Sequence, residues 1–276
     1  MKKVLIQLGK AICYFMLFFG VQLLVCIAMM FVYGMKIGME TAITGTMPST
    51  VEMVEGMTDF LMNNMLWPAW ISGVLTLFAL WLFFIIRKKN VFQEVSLCKF
   101  DKNKVIPLIF LGVATSFFIS CALSLLPLPE SMLGSYVESS QGLTSGSLFI
   151  RVLATIIVAP VVEEVVFRGL ILSRLKKAMN IWVAIVISSL AFGLMHGQLL
   201  WIAYAFVTGM LFAVVAERLK SIGASIIIHM SFNLVGIFGD NIDLVSWQHI
   251  VVAIVSLGVM VGSMYYIMKK ARPTAV

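Results

Sequence analysis

Three short stretches of this sequence place polar groups among apolar neighbours. In the first, residues 159–169 (APVVEEVVFRG), Glu163, Glu164 and Arg168 interrupt an otherwise apolar helix. A carboxylate at bilayer depth costs about 2.5–3.5 kcal/mol even on the more forgiving insertion scale, so two adjacent ones need a reason. Arg168 follows Glu164 by four residues, which puts both on one helix face where they can pair. Glu163 points about 100° away and is left for another partner. Pro160 removes the hydrogen bond to the carbonyl of Ile156 and predicts a kink beside the pair. The second stretch holds His196, with Phe192 one turn earlier and Gly193 and Gly197 at a spacing that permits close helix approach. The third holds His229 and Asn233, four residues apart and therefore on one face.

Taken singly, each stretch has a bland explanation. A Glu–Arg bridge can fix helix packing, a lone His near a helix end is usually structural, and a His/Asn seam can join two helices at well under about 2 kcal/mol. The bridge leaves the second Glu unexplained, and depth links the three stretches. At 1.5 Å per residue, Glu164 lies about 18 Å from Lys176, His196 about 24 Å from Asn180, and His229 and Asn233 about 14 and 20 Å from Lys220. All fall in the middle to outer part of a core roughly 30 Å thick, so three helices can present them to one cavity. Such a set suits amide hydrolysis by water. Glu163 or Glu164 acts as general base, Arg168 keeps the other Glu ionised and oriented, and His196 positions the water or a metal and carries a proton to the leaving amine. His229 and Asn233 donate to the developing oxyanion. No serine has an obvious base beside it, and every Asp lies in a loop, which excludes an aspartic dyad. His249, beside Trp247, carries no such role. Cys13, Cys26, Cys98 and Cys121 have neither metal nor redox spacing.

The elements that must hold these groups are membrane helices. Of the 276 residues, 61% are hydrophobic and only 12% charged, too little polar surface to cover a water-facing globule. Apolar runs occur at residues 11–33, 65–86, 105–127, 148–167, 181–200, 201–216, 222–238 and 247–268, which predicts an all-α polytopic bundle of about eight transmembrane helices. The first run is too long for a cleaved signal and reads as an anchor. All Lys and Arg except Lys36 and Arg151 fall on one side, including Lys270 and Arg272, while Glu40, Glu52, Glu55, Asp59, Glu130, Glu138, Asp240 and Asp243 lie on the other. That bias orients both termini to the cytoplasm. It accounts for the net charge of +7 without nucleic acid, since no basic face is interleaved with exposed aromatics.

Residues 1–147 read as three N-terminal membrane helices with two outside loops. In the first loop, 34–64, Glu52, Val54, Glu55 and Phe60 suggest a short interfacial helix; the second, 128–147, is Gly- and Ser-rich and reads as flexible. Residues 148–238 form the candidate catalytic core of four helices, and 239–276 a last membrane helix with a basic tail. No internal repeat suggests an inverted-repeat transporter.

Glu-Glu-x-x-x-Arg (Glu163, Glu164, Arg168), Phe-x-x-x-His (Phe192, His196) and His-x-x-x-Asn (His229, Asn233) together resemble the three motifs of the CPBP family, the CAAX-protease and bacteriocin-processing group of intramembrane proteases, also called Abi. The resemblance covers residues 148–235. It implies an eight-helix bundle with a membrane-embedded catalytic cavity, the first Glu of the pair as base, and His196, His229 and Asn233 as its partners. Members of the family are often labelled metalloproteases, and Zn²⁺ held by Glu163, His196 and His229 is chemically sound. The sequence lacks His-Glu-x-x-His, and direct activation of water by a carboxylate is slightly favoured. The expectation is an intramembrane endopeptidase in a bacterial plasma membrane, acting on membrane-associated peptide or protein precursors such as a pheromone or bacteriocin. The alternatives are a non-catalytic scaffold of the same fold, a bacteriocin-immunity protein, and, less favoured, a proton-coupled transporter. The sequence does not specify an oligomeric state.

Overall fold

Side-chain caps set where most of the helices begin. Ser49, Asn90, Ser147, Asn180, Gln198 and Ser221 each accept a hydrogen bond from a backbone N–H of the first turn that follows. The computed structural model describes residues 2–144, 146–239 and 244–269; Asp240, Asp243, Lys270 and Arg272 lie outside them. In order, the helices are α1 (Lys2–Thr44), α2 (Thr50–Asn63), α3 (Leu66–Ile86), the short α4 (Val91–Glu94), α5 (Val105–Leu125), α6 (Glu130–Thr144), α7 (Leu148–Leu175), α8 (Ile181–Leu194), α9 (Leu199–Leu219), α10 (Ile222–Phe238) and α11 (Ser246–Met268). No strand occurs among the described residues. The chain is an all-α, multi-pass membrane bundle.

Among the described residues, five helices are long and apolar enough to cross a bilayer: α1, α3, α5 with the turn before it, α9 and α11. A sixth results if α6 and α7, bent by 111° at their junction, count as one span. The eight spans expected from the sequence are therefore not all of crossing length. The three helices bearing the motifs are the ones that fall short. Charges interrupt α7, while α8 and α10 have 14 and 17 residues, about 21 and 26 Å against a core of about 30 Å.

Two outer segments differ from expectation. Helix α1 runs on through 43 residues to Thr44, because nothing between Gly34 and Ile43 breaks it; Gly45 closes it with an N–H bond to the Thr41 carbonyl (2.9 Å). The expected short helix is α2, started by a reciprocal pair in which Glu52 N–H donates to Ser49 Oγ and Ser49 N–H to Glu52 Oε2. The Gly- and Ser-rich segment expected to be flexible is instead the helix α6. Pro129 supplies its first acceptor carbonyl, Ser139 and Ser140 bond back to carbonyls four residues earlier, and Gly142 packs against the side chains of Met62 and Met65.

Helix α5 packs on α10 and α11, α8 on α9, and α1 on α3 and α7. Six of the basic residues assigned to one side by sequence are joined at one end of the bundle. Glu94 takes ion pairs from Lys89 and Arg174, each at 2.6 Å, and Glu217 takes them from Lys176 and Lys220. Lys104 Nζ and Arg218 donate to carbonyls at the end of α11, and Ser221 Oγ donates to the Cys98 carbonyl (2.5 Å). Arg151 donates to the Ile237 carbonyl at the C-terminal end of α10.

Candidate active site

Helix α7 is not a regular helix. Residues Val152–Val158 and Glu164–Leu172 follow wider π-helical turns, with a short α-helical piece, Ala159–Glu163, between them. Pro160 explains the first. Ala159 N–H reaches back five residues to the Ala154 carbonyl; the next N–H in that pattern would come from residue 160, where proline has none. The Thr155 carbonyl is thereby freed, and Asn233 Nδ2 on α10 donates to it at 2.8 Å. At Pro160, where a kink is expected, the helix thus carries a wide turn on its N-terminal side, and a second wide turn begins at Glu164, a deformation frequent at functional sites.

The wide turns leave the two carboxylates in different surroundings. Glu164 is fully buried. Its Oε1 accepts from Arg168 Nη1 at 2.9 Å and lies 3.0 Å from His229 Nδ1. Arg168, 3% exposed, also donates from Nη2 to the Gly209 carbonyl on α9 at 3.0 Å, and its guanidinium lies 4.3 Å from the centre of the Phe192 ring. A Cβ on Gly209 would stand 3.0 Å from that ring and 3.1 Å from Arg168 Nη2, so the absent side chain is what lets α9 approach the pair. Glu163, 19% exposed at its side chain, lies with Oε2 3.6 Å from His229 Nε2. His229 therefore sits between the two carboxylates, Nδ1 toward Glu164 and Nε2 toward Glu163.

Glu163, His196, His229 and Asn233 line one cavity of about 320 Å³, together with Phe192, Tyr204 and a largely apolar wall. Glu164 and Arg168 stand behind that lining. His196 is not on a helix as expected. Helix α8 ends at Leu194, and His196 occupies the turn beyond it, its Nδ1 3.0 Å from the Phe192 carbonyl. With Nδ1–H donated there, Nε2 is the nitrogen left for the cavity. Gly193 provides the expected close approach, since its Cβ would lie 2.8 Å from the Ile202 carbonyl oxygen. Gly197 instead shapes the turn, with a φ of +73°. His249 stays apart on α11, bonded to the Val245 carbonyl.

Several contributors escaped sequence reasoning. Phe192 was visible as a motif residue, yet its ring touches Arg168, His196 and His229 at once, with centroid distances to the two imidazoles of 4.9 and 5.8 Å. Phe212, 5.0 Å from the His229 ring, and Gly209 had no sequence signal. Thr155 had one, its position five residues before Pro160. Of the candidate zinc donors, Glu163, His196 and His229 all line the cavity, and His229 Nδ1 is held by Glu164, which leaves its Nε2 toward Glu163; among the described residues no three His, Cys, Asp or Glu side chains gather as a metal-binding group.

Two comparisons place the stretch that carries this site beside known proteins. The type II CAAX prenyl endopeptidase Rce1-like family matches residues 145–235, a stretch containing all three motifs. The chain is also similar to "Putative membrane peptidase YdiL" of Bacillus subtilis (strain 168), with 32% identity over 84 residues, covering 30% of this chain and 34% of that protein. The similarity thus spans about a third of the relative's length. No solved structure matches. The resemblance to the CPBP family is borne out, in that residues 145–235 are similar to the CAAX-type Rce1-like family and part of that stretch to a putative membrane peptidase.

Proposed function

We propose that the chain is an intramembrane endopeptidase that hydrolyses membrane-associated peptide or protein precursors, with Glu163 activating water directly. The carrying observation is the division of labour between the two carboxylates: Glu163 reaches the cavity, while Glu164 is enclosed by Arg168 and His229. In this reading Glu163 takes a proton from water as the water oxygen bonds to the scissile carbonyl carbon. The tetrahedral oxyanion develops between Asn233 Nδ2 and His229 Nε2, His229 donating whenever Nε2 carries a proton. As the C–N bond breaks, the proton held by Glu163 passes to the leaving nitrogen, with His196 Nε2 as the relay. Arg168 and Glu164 touch no substrate; they fix His229. The basic end of the bundle, with both termini, faces the cytoplasm of a bacterial cell in this proposal.

A quenched peptide library incubated with the purified, detergent-solubilised chain tests the reading. Cleavage at internal peptide bonds that persists with a metal chelator supports it. Cleavage abolished by the chelator and restored by Zn²⁺ replaces direct activation with a metal mechanism. A well-folded preparation that cleaves nothing and captures a membrane partner instead supports the scaffold alternative.

A further inference from the structure

The main cavity has a side chamber. A second cavity of about 120 Å³ shares Leu143, Thr155, Trp201, Tyr204, Phe232 and Asn233 with it. The rest of its wall includes Ser116 and Ser120 on α5 and Tyr136 and Ser140 on α6. Ser116 is buried, 4% exposed, whereas Ser120 is exposed, so the chamber runs from the surface of α5 inward to Asn233. No Asp, Glu, Lys or Arg lines it among the described residues. Ser140 donates to the Tyr136 carbonyl and keeps its oxygen lone pairs to accept.

Neutral hydroxyls and an amide offer no counter-charge to an ionic ligand, but they give water the two to four partners it needs to stay in a cavity. The volume is well above the roughly 10–15 Å³ that one water requires. In the main cavity the polar groups are those of the reaction itself, Glu163, His196, His229 and Asn233, and Met65, Leu66, Ala69, Ala154, Ala159 and Met195 form much of the remaining wall. A peptide segment bound against that wall displaces what water is there. Hydrolysis consumes one water per bond: its oxygen and one hydrogen end on the new carboxyl group, the other hydrogen on the released amine. That water needs a route which the substrate does not fill.

We propose that the hydroxyl-lined chamber between α5, α6 and α10 is hydrated and delivers the hydrolytic water past Tyr204 and Asn233 to Glu163. Hydration stands on the chamber alone; delivery rests on the peptidase reading above. The test is hydroxyl-radical footprinting of the full chain in detergent and ¹⁸O-water, combined with kinetics of a Ser116→Val, Ser120→Val double variant. In the wild type, Tyr136 and Tyr204 take up label many-fold faster than the buried Phe18 and Phe84. Tyr204 as protected as Phe18 overturns the proposal. In the double variant, Tyr204 labelling drops and kcat falls about tenfold with KM unchanged, the split expected when binding is intact and a reactant is short. A drop in labelling with kcat unchanged, or a change confined to KM and residue preference, overturns delivery and makes the chamber a side-chain pocket. Ser140→Ala carries the same expectations should the double variant fail to fold. Footprinting needs no substrate, so hydration of the chamber is decided whether or not the chain proves to be a peptidase.

Discussion

Glu163 and Glu164 are neighbours in the chain with opposite surroundings, and mutation should separate them. Glu164 Oε1 is shared by Arg168 and His229 in a site closed to solvent. Replacing one member of such a buried pair leaves the other charge unpaired, at a typical cost of about 3–5 kcal/mol. Glu164→Gln should therefore lower the melting temperature and reduce yield, whereas Glu163→Gln, whose partner lies at 3.6 Å, should melt like the wild type. Equal melting of the two variants would mean that the Glu164 bridge does not hold the core. At this scale the sequence was informative wherever charge stood in an apolar run, as at Glu163, Glu164 and Arg168. It was silent on backbone groups. The Thr155 carbonyl acquires its role only because Pro160 withholds an N–H and Asn233 arrives from a helix 78 residues away.

Among the elements, the apolar runs and caps were legible, and the ends and distortions were not. Helix α6 looked like a flexible linker because Gly and Ser weaken local helix preference; packing of Gly142 against Met62 and Met65 outweighs that preference. His196 looked helical because the apolar run continues past it to Leu200, yet α8 stops at Leu194 and the following turn brings His196 to the cavity. At the basic end, α4 is fastened to α7 through Glu94. The hydrogen bond from Lys89, with help from Arg174, holds the Glu94 carboxyl below its ordinary range. A depressed folded-state pKa stabilises above the unfolded value, about 4.3, and that contribution is lost as pH falls through the folded value. The pair contributes about 1 kcal/mol or less, given its partial exposure. Acidification below pH of about 4.3 should thus lower the wild-type melting temperature more steeply than that of Glu94→Gln. Parallel curves would mean that Glu94 does not fasten α4 to α7.

Across the whole molecule, the sequence conveyed the membrane class, the sidedness of charge and the meeting of three motifs. Of the eight apolar runs it offered, five or six are of spanning length among the described residues and α8 and α10 are shorter, because an apolar run inside a bundle reads the same as one facing lipid. The sidedness is testable with a residue already in place. Cys98 is exposed at the basic end, where its carbonyl accepts from Ser221. A membrane-impermeant maleimide should label Cys98 in inverted vesicles and leave it unlabelled in sealed, right-side-out cells; the reverse pattern would invert the proposed topology.

The proposed mechanism turns on the cavity carboxylate of Glu163, rather than the enclosed one of Glu164, as the base that activates water. The decisive experiment is turnover of one cleaved peptide by wild type and Glu163→Gln, with melting temperatures measured on the same preparations. The expected result is an unchanged melt and a kcat reduced at least about 10²–10⁴-fold, the usual worth of a general base. A folded Glu163→Gln variant that turns over at the wild-type rate would contradict it.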